Sequence, residues 1–370
     1  MPKRVAILVP SLACGGTERV VINLLKGLVK HDVELELVLG RAEGEFLNDI
    51  PAGVKVVDLH TDAGFIIREK ATLKTIYSLV RYLRSEKPDV IVSNWYSLNV
   101  LTAITRKLAR SRAYLILVEH NPTFSRDYEP GRLLSGLMRW FYPRVDAVVA
   151  ASKGLAQDFE ANLRMKPGSI KVIYNPVVDE SLVLKAHSPL DHPWFRPNQP
   201  PVILAVGRLH PQKNYPHLLQ AFARLRKQRP ARLLILGDGQ EVRGQLEALV
   251  EQLKIGADVS LPGLATNPYA YMSRAAVFVL SSSWEGLAIV VVEAMYCGCQ
   301  VVSADCQYGP REILAGGKYG TLVPVDDVSA LFEAMQQALD SPKNPDDLKH
   351  RAEDFSIDKV VSEYMMLISR

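Results

Sequence analysis

Short aliphatic runs alternate with helical stretches along almost the whole chain, and no other feature restricts the fold as much. In the first half the runs are Val5 to Val9, Val33 to Leu39, Val54 to Leu59, Val90 to Ser93, Tyr114 to Glu119 and Ala147 to Ala151. Amphipathic stretches such as Thr17 to Lys30, Thr72 to Glu86 and Leu98 to Arg110 lie between several of them. Runs that are apolar throughout suit strands covered on both faces, which is the condition of a parallel sheet flanked by helices. The pattern restarts at Val202 to Leu209, Leu233 to Leu236, Val259 to Gly263, Ala275 to Leu280 and Gln300 to Ala304. Between the two series Pro189, Pro193, Pro197, Pro200 and Pro201 crowd a stretch of little periodicity, which reads as an interdomain linker. At 370 residues the chain exceeds what one core usually serves. The expectation is an α/β protein of two Rossmann-like domains, residues 1–185 and 186–355, with a last helix over 356–370.

In such sheets ligands gather outside the carboxyl ends of the strands, so the residues that follow each run are the candidates for function. After Ala275 to Leu280 come three serines, Trp284, Glu285, Gly286 and Leu287, then a second apolar run that ends at Glu293. A helix opening at Gly286 would put Glu285 at its cap and Glu293 a little over two turns on, roughly 12 Å along the axis. Free N–H groups at a helix start favour a phosphate, and a carboxylate on either side accepts hydrogen bonds from hydroxyls. Sugar, diphosphate and ribose stand in that order in a nucleotide-sugar. Arg208 and Lys213, after the Val202 run, are a cationic pair suited to a diphosphate or to a surface ion pair. Gly15 and Gly16, after the first run, either let backbone approach a ligand or make a tight turn. No Gly-x-Gly-x-x-Gly is present there, which argues against a dinucleotide site. His120 stands at another strand end, before Asn121 and Pro122, with Glu119 and Asn121 as candidate acceptor contacts.

Charge is uneven. Lys and Arg outnumber Asp and Glu by 26 to 20 in residues 1–185 and trail by 18 to 20 beyond. A basic first half suits an anionic membrane surface or a phosphorylated acceptor. Segments 64–70 and 132–144 mix apolar, aromatic and basic residues as interfacial elements do, although a core-facing helix explains the second equally well. No basic platform interleaved with aromatics is present, so nucleic acid is not an expected partner. Cys14, Cys297, Cys299 and Cys306 lack zinc spacing and read as free thiols. Lys3-Arg4 and the apolar run after it imitate a signal peptide, but Pro10 and Ser11 interrupt it, and a buried first strand is the expectation. No run approaches the roughly 18 residues of a membrane span.

Two motifs carry a family resemblance. Glu285-x7-Glu293, with Gly298 and the Tyr308-Gly309-Pro310-Arg311-Glu312-Ile313 segment behind it, resembles the motif of the family-4 retaining glycosyltransferases of the GT-B type. Gly207-Arg208-Leu209-x-Pro211-x-Lys213-Asn214 is similar to a second signature of that family, and Gly15 to Val20 to its glycine loop. Asp305 to Leu314 with Tyr319 to Pro324 resembles members that build bacterial surface polysaccharides. The resemblance covers the whole chain, more strongly from Val202 onward. It implies a GT-B fold, two Rossmann-like domains facing a cleft, with the final helix crossing back to the first domain. The implied reaction moves a hexose or N-acetylhexosamine, with retention, from a UDP-sugar donor to a lipid-linked or lipopolysaccharide glycan acceptor. Neither metal nor another cofactor is implied, consistent with the lack of Asp-x-Asp. By resemblance His120 and Glu285 form the catalytic set, His120 near the transferred sugar and Glu285 on its hydroxyls. Arg208, Lys213 and the helix end at Gly286 and Leu287 oppose the diphosphate, Gly15 and Gly16 face the phosphates and sugar, Leu264 lies near the base, and Glu293 holds the ribose. The expected location is cytoplasmic, peripheral on the inner face of the plasma membrane. The rival functions are a nucleotide-sugar epimerase of the same fold and a non-catalytic nucleotide-sugar-binding subunit.

Overall fold

The computed structural model describes residues 2–13, 15–61, 73–124 and 130–370. The chain divides into two compact units, Met1–Pro176 with Ile357–Arg370, and Val177–Ser356. In the first unit the strands are β1 (Lys3–Val9), β2 (Val33–Leu39), β3 (Lys55–Asp58), β4 (Val90–Asn94), β5 (Tyr114–Glu119), β6 (Ala147–Ala150) and β7 (Lys171–Val172), all parallel, in the order β3-β2-β1-β4-β5-β6-β7. Its helices begin with α1 (Gly16–Leu28), α2 (Leu73–Ser85), α3 (Tyr96–Ala109), α4 (Arg132–Phe141) and α5 (Lys153–Leu163). The continuous apolar runs are buried as a doubly covered sheet requires, with Val5, Ala6 and Ile7 in β1 and Leu115, Ile116 and Leu117 in β5 at 0% exposure. At the amino-terminal end of this sheet Glu36 accepts hydrogen bonds from Arg4 at 2.9 Å and Lys55 at 3.0 Å, and from the Tyr82 hydroxyl. These partners compensate the burial of a carboxylate that is 5% exposed.

The second unit repeats the plan with β8 (Val202–Val206), β9 (Arg232–Leu236), β10 (Val259–Gly263), β11 (Val277–Leu280), β12 (Val301–Ala304) and β13 (Thr321–Val323), in the parallel order β10-β9-β8-β11-β12-β13. Its helices are α6 (Glu180–Ala186), α7 (Tyr215–Gln228), α8 (Gln240–Leu253), α9 (Pro268–Met272), α10 (Ile289–Tyr296), α11 (Pro310–Ile313), α12 (Val328–Asp340) and α13 (Pro345–Ala352). The last helix, α14 (Ile357–Ile368), packs in the first unit. Its Ile357, Val360, Val361 and Tyr364 join the core that α1 and β1 share. A Cβ on Gly27 of α1 would lie 2.4 Å from Val361 Cγ2, so this glycine permits the close approach of the two helices.

The proline-rich stretch is not a free linker. The units divide after Pro176 rather than after residue 185, and α6, whose first turn is capped by Asp179, belongs to the second unit. Asn267 donates to the Lys185 carbonyl at 2.8 Å, Ser273 to that of Ala186 at 2.7 Å, and Arg274 to that of Ser188 at 3.0 Å. The Arg232 guanidinium stacks 4.8 Å from the centroid of the Trp194 ring. Carbonyls left open at and just past the C-terminal end of α6 find side-chain partners on the second unit. The expected interfacial segment 64–70 lies outside the described residues. Among those described, no helix is long and apolar enough to cross a membrane.

Candidate active site

The strand order of the second unit reverses between β8 and β11, which is where a parallel sheet opens a crevice for ligand. The loops that leave these strands, 207–214 and 281–288, carry Arg208, Lys213, Glu285, Gly286 and Leu287, and they are stitched together. Ser281 donates to the Lys213 carbonyl at 2.7 Å, the Ser283 amide to the Gln212 carbonyl at 2.8 Å, and the Gln212 side chain to the Trp284 carbonyl at 2.8 Å. Gly207 makes room for what lies above it: a Cβ there would stand 2.9 Å from Lys213 Cε and 3.1 Å from Tyr215 Oη.

Lys213 Nζ and Ser282 Oγ both donate to Glu285 Oε1, each at 2.7 Å. Glu285 is 7% exposed and Ser282 0%. Among the described residues Glu285 Oε2 takes no hydrogen bond. The carboxylate is thus held by one oxygen and presents the other, a state that two donors on a single oxygen make rigid. Arg208 is exposed on the same loop as Lys213. Burial and the Arg208 and Lys213 charges hold His210, between them, below the usual histidine range, with Glu241 opposing. A cationic wall next to an anchored carboxylate fits a ligand with anionic and hydroxylated ends.

The helix expected to open at Gly286 opens at Ile289, with Ala288 as its cap at φ 60°. Glu285 therefore precedes the helix by several residues and does not cap it, and Glu293 lies in its second turn, not its third. The cause is tertiary. The Glu285 amide donates to the Gln307 carbonyl at 3.3 Å, and Trp284 and Gln307 form an isolated β-bridge, which keeps this segment extended. Gly309, at φ 82°, backs the segment so closely that a Cβ would fall 2.6 Å from the Leu287 carbonyl carbon. An ion pair between Arg311 and Asp305, with Nε donating to Oδ1 at 3.1 Å, braces the loop that carries Gly309. Gly286 and Leu287 are buried in this turn, and Leu264, after β10, is 64% exposed. Glu293, 7% exposed, accepts a hydrogen bond from the Tyr269 hydroxyl at 3.1 Å. Nothing in the sequence distinguishes Ser282, Gln212 and Tyr269 from their neighbours.

The remaining candidates lie in the first unit. Gly15 precedes α1 and Gly16 is its first residue; a Cβ on Gly15 would fall 2.3 Å from a carboxylate oxygen of Glu18. His120 follows β5, as expected, but is 7% exposed with both ring nitrogens engaged, Nε2 2.9 Å from Asn94 Oδ1 and Nδ1 3.1 Å from the Asn175 side chain. Asn94 donates its amide to the Leu8 carbonyl at 3.3 Å, which turns its oxygen toward His120. Burial pushes His120 down to about 4, against the Asn175 hydrogen bond, so the ring is neutral. Glu119 is not an acceptor contact. It points to the opposite face of β5, 2% exposed, and accepts from Asn99 at 2.8 Å and from the Tyr142 hydroxyl. Burial, opposed by those two donors, pushes its carboxyl up to about 7.

These adjacent groups bend the pH profile of stability in opposite directions. His120, depressed from 6.5 to about 4, stabilises the fold fully above 6.5 and loses that contribution as pH falls toward 4. Glu119, raised from 4.5 to about 7, contributes fully below 4.5 and loses its part as pH rises through 7. Glu119→Gln should therefore remove the loss that builds between pH 4.5 and 7, worth about 3 kcal/mol at most at ~1.4 kcal/mol per unit. Denaturant melts of both proteins from pH 5 to 8 check this; parallel profiles would mean the carboxyl is ionised in folded and unfolded chains alike.

Comparison with known proteins agrees with this architecture. The family model described as Glycosyltransferase Family 4 matches residues 14–181, and the one described as Glycosyl transferases group 1 matches residues 190–355. The chain is 27% identical to a Campylobacter jejuni alpha-1,4-N-acetyl-D-galactosaminyltransferase named for a diNAcBac-PP-undecaprenol glycan, over 99% of this chain and 98% of that protein. It is 26% identical to the lipopolysaccharide core biosynthesis glycosyltransferase LpsE of Rhizobium meliloti, over 96% of each. Anabaena HepE, solved with UDP, superposes with a TM-score of 0.78 at 22% identity and 99% coverage of both chains, a likeness of fold. Two parallel sheets of this topology, matched in turn by the two family models, make the chain a family-4 glycosyltransferase of the GT-B fold.

Proposed function

We propose that the protein transfers a hexose or N-acetylhexosamine, with retention, from a UDP-sugar to a lipid-linked or lipopolysaccharide glycan in surface-polysaccharide assembly. The observation that carries the reading is the Lys213–Glu285–Ser282 group at the switch point of the second unit. Glu285 Oε2 receives a hydroxyl of the transferred sugar. Lys213 lies between that carboxylate and the diphosphate, and with Arg208 it opposes the charge that grows as the bond from the anomeric carbon to the phosphate oxygen breaks. The acceptor hydroxyl attacks from the face the diphosphate leaves, and its proton departs with the product phosphate. Glu293 takes the ribose, Leu264 lies against the base, and Gly15, Gly16 and His120 belong to the sugar side. Fixed cations replace a metal in this scheme, so transfer continues in EDTA. The names of the Campylobacter and Rhizobium relatives support the acceptor class, and the UDP complex of HepE supports the donor.

The acceptor class brings the protein to an anionic membrane surface on the cytoplasmic side. In α4 Leu133 is 80% exposed and Trp140 54%, spaced by seven residues on one helix stripe. Arg132 and Arg139 are exposed beside them, and the Arg144 guanidinium sits 4.0 Å from the Trp140 ring centroid. Apolar tips ringed by cations are what an interfacial helix presents. The test measures UDP release from candidate UDP-sugars in EDTA, alone and with lipid-linked glycan in vesicles. The reading expects release only with acceptor, faster on anionic than neutral vesicles, and slower as salt rises. Equal release without acceptor would favour the epimerase, and indifference to lipid charge would remove the role of α4.

A further inference from the structure

We propose that Tyr269 is the positioning residue that aims the Glu293 carboxylate at the donor ribose, and that it thereby sets the preference for a ribonucleotide over a deoxyribonucleotide. The inference rests on the assignment of Glu293 to the ribose. Tyr269 is 6% exposed and Glu293 7%, and the phenol donates to Oε1 at 3.1 Å. A glutamate on a helix has three rotatable side-chain bonds, and a carboxylate out of water must be hydrogen-bonded to stay ionised. The phenol does both things at once: it donates to the charged form and fixes where one oxygen lies.

The phenol is itself fixed. It stands on α9, a helix too short to hold its position alone, and the C-terminal end of α6 clamps that helix from outside. Asn267, before α9, reaches the Lys185 carbonyl, and Ser273, after it, reaches that of Ala186. Arg274 donates to the Ala270 carbonyl at 2.9 Å and to the Ala186 carbonyl at 3.1 Å. The Lys185 ammonium lies 5.9 Å from the centroid of the Tyr269 ring. The chain that enters the second unit is therefore built into the support of the nucleotide carboxylate.

The chemical consequence is selectivity. A ribose diol offers two donors to a carboxylate, and a 2′-deoxyribose offers one. A rigid carboxylate left with an unmatched, desolvated lone pair rejects the deoxy ligand; a loose one turns and tolerates it. A structural role for Tyr269 alone would weaken both ligands equally.

Calorimetry with UDP and with 2′-deoxy-UDP on wild type, Tyr269→Phe and Glu293→Ala separates these cases. Wild type should prefer UDP by about tenfold, the value of one hydrogen bond to a charged group. Tyr269→Phe should bind UDP about fivefold more weakly and 2′-deoxy-UDP as wild type does, with donor KM raised and kcat unchanged. Glu293→Ala should abolish the preference. If Tyr269→Phe keeps the wild-type ratio, or weakens both ligands equally, the proposal is overturned while the Glu293 assignment stands. If Glu293→Ala itself keeps the ratio, the ribose assignment fails and takes the proposal with it.

Discussion

Glu285→Ala should lower turnover by about tenfold to a hundredfold while free UDP binds as tightly as to wild type, or more tightly. The first part follows from the loss of a charge-assisted hydrogen bond to the transferred sugar, worth about 1.5 to 3 kcal/mol. At ~1.4 kcal/mol per tenfold this spans the stated range. The second part follows from the geometry. Lys213 Nζ is committed to Glu285 Oε1 at 2.7 Å, so a diphosphate must share that ammonium with a carboxylate. Removing the carboxylate releases the cation to the phosphates. Calorimetry with UDP and turnover with donor and acceptor check both parts together. A variant that loses UDP affinity would mean that Glu285 serves the nucleotide and that the donor lies the other way round.

Lys213→Ala should lose both UDP affinity and stability. The Lys213 and Glu285 side chains are 14% and 9% exposed, so the pair is largely removed from water. Breaking such a pair costs about 3 kcal/mol or more because the remaining charge is left unmatched, and Ser282, which still donates to Oε1, holds the cost at the low end. For a unit of this size that is a fall in Tm of about 6 to 10 °C. Adding Glu285→Gln to Lys213→Ala should recover most of the stability and none of the transfer. Thermal melts of the two single variants and the double variant form the cycle. If the stability losses simply add, the two side chains are not coupled and the cationic wall must be assigned to Arg208 alone.

What could be read from the chain was whatever is local. Strands such as β6, β8 and β11 were legible because each is apolar along its whole length, and Arg208 and Lys213 because one short loop carries both. The start of α10 was not. Residues 287 to 292 are apolar without a breaker, and only the long-range bridge from Trp284 to Gln307 and the left-handed Ala288 separate turn from helix. The same limit hid the pairing of Tyr269 with Glu293, 24 residues apart, and of Ser282 with Glu285, where three serines in a row look alike. Proline content disguised the strap from 180 to 201 as a linker, since composition shows the absence of ladders and not what the carbonyls find instead. Glu119 shows the simplest failure. Successive residues in a strand face opposite ways, so one strand end delivers a clamped imidazole to one side and a carboxyl to the core on the other.

The most direct test of sugar transfer is the anomeric configuration of the product. Lipid-linked glycan incubated with enzyme, an α-linked UDP-sugar and EDTA should gain one residue whose anomeric proton coupling, read by nuclear magnetic resonance, is that of an α linkage. A β-linked residue would contradict retention, and free sugar with no elongated glycan would contradict transfer itself.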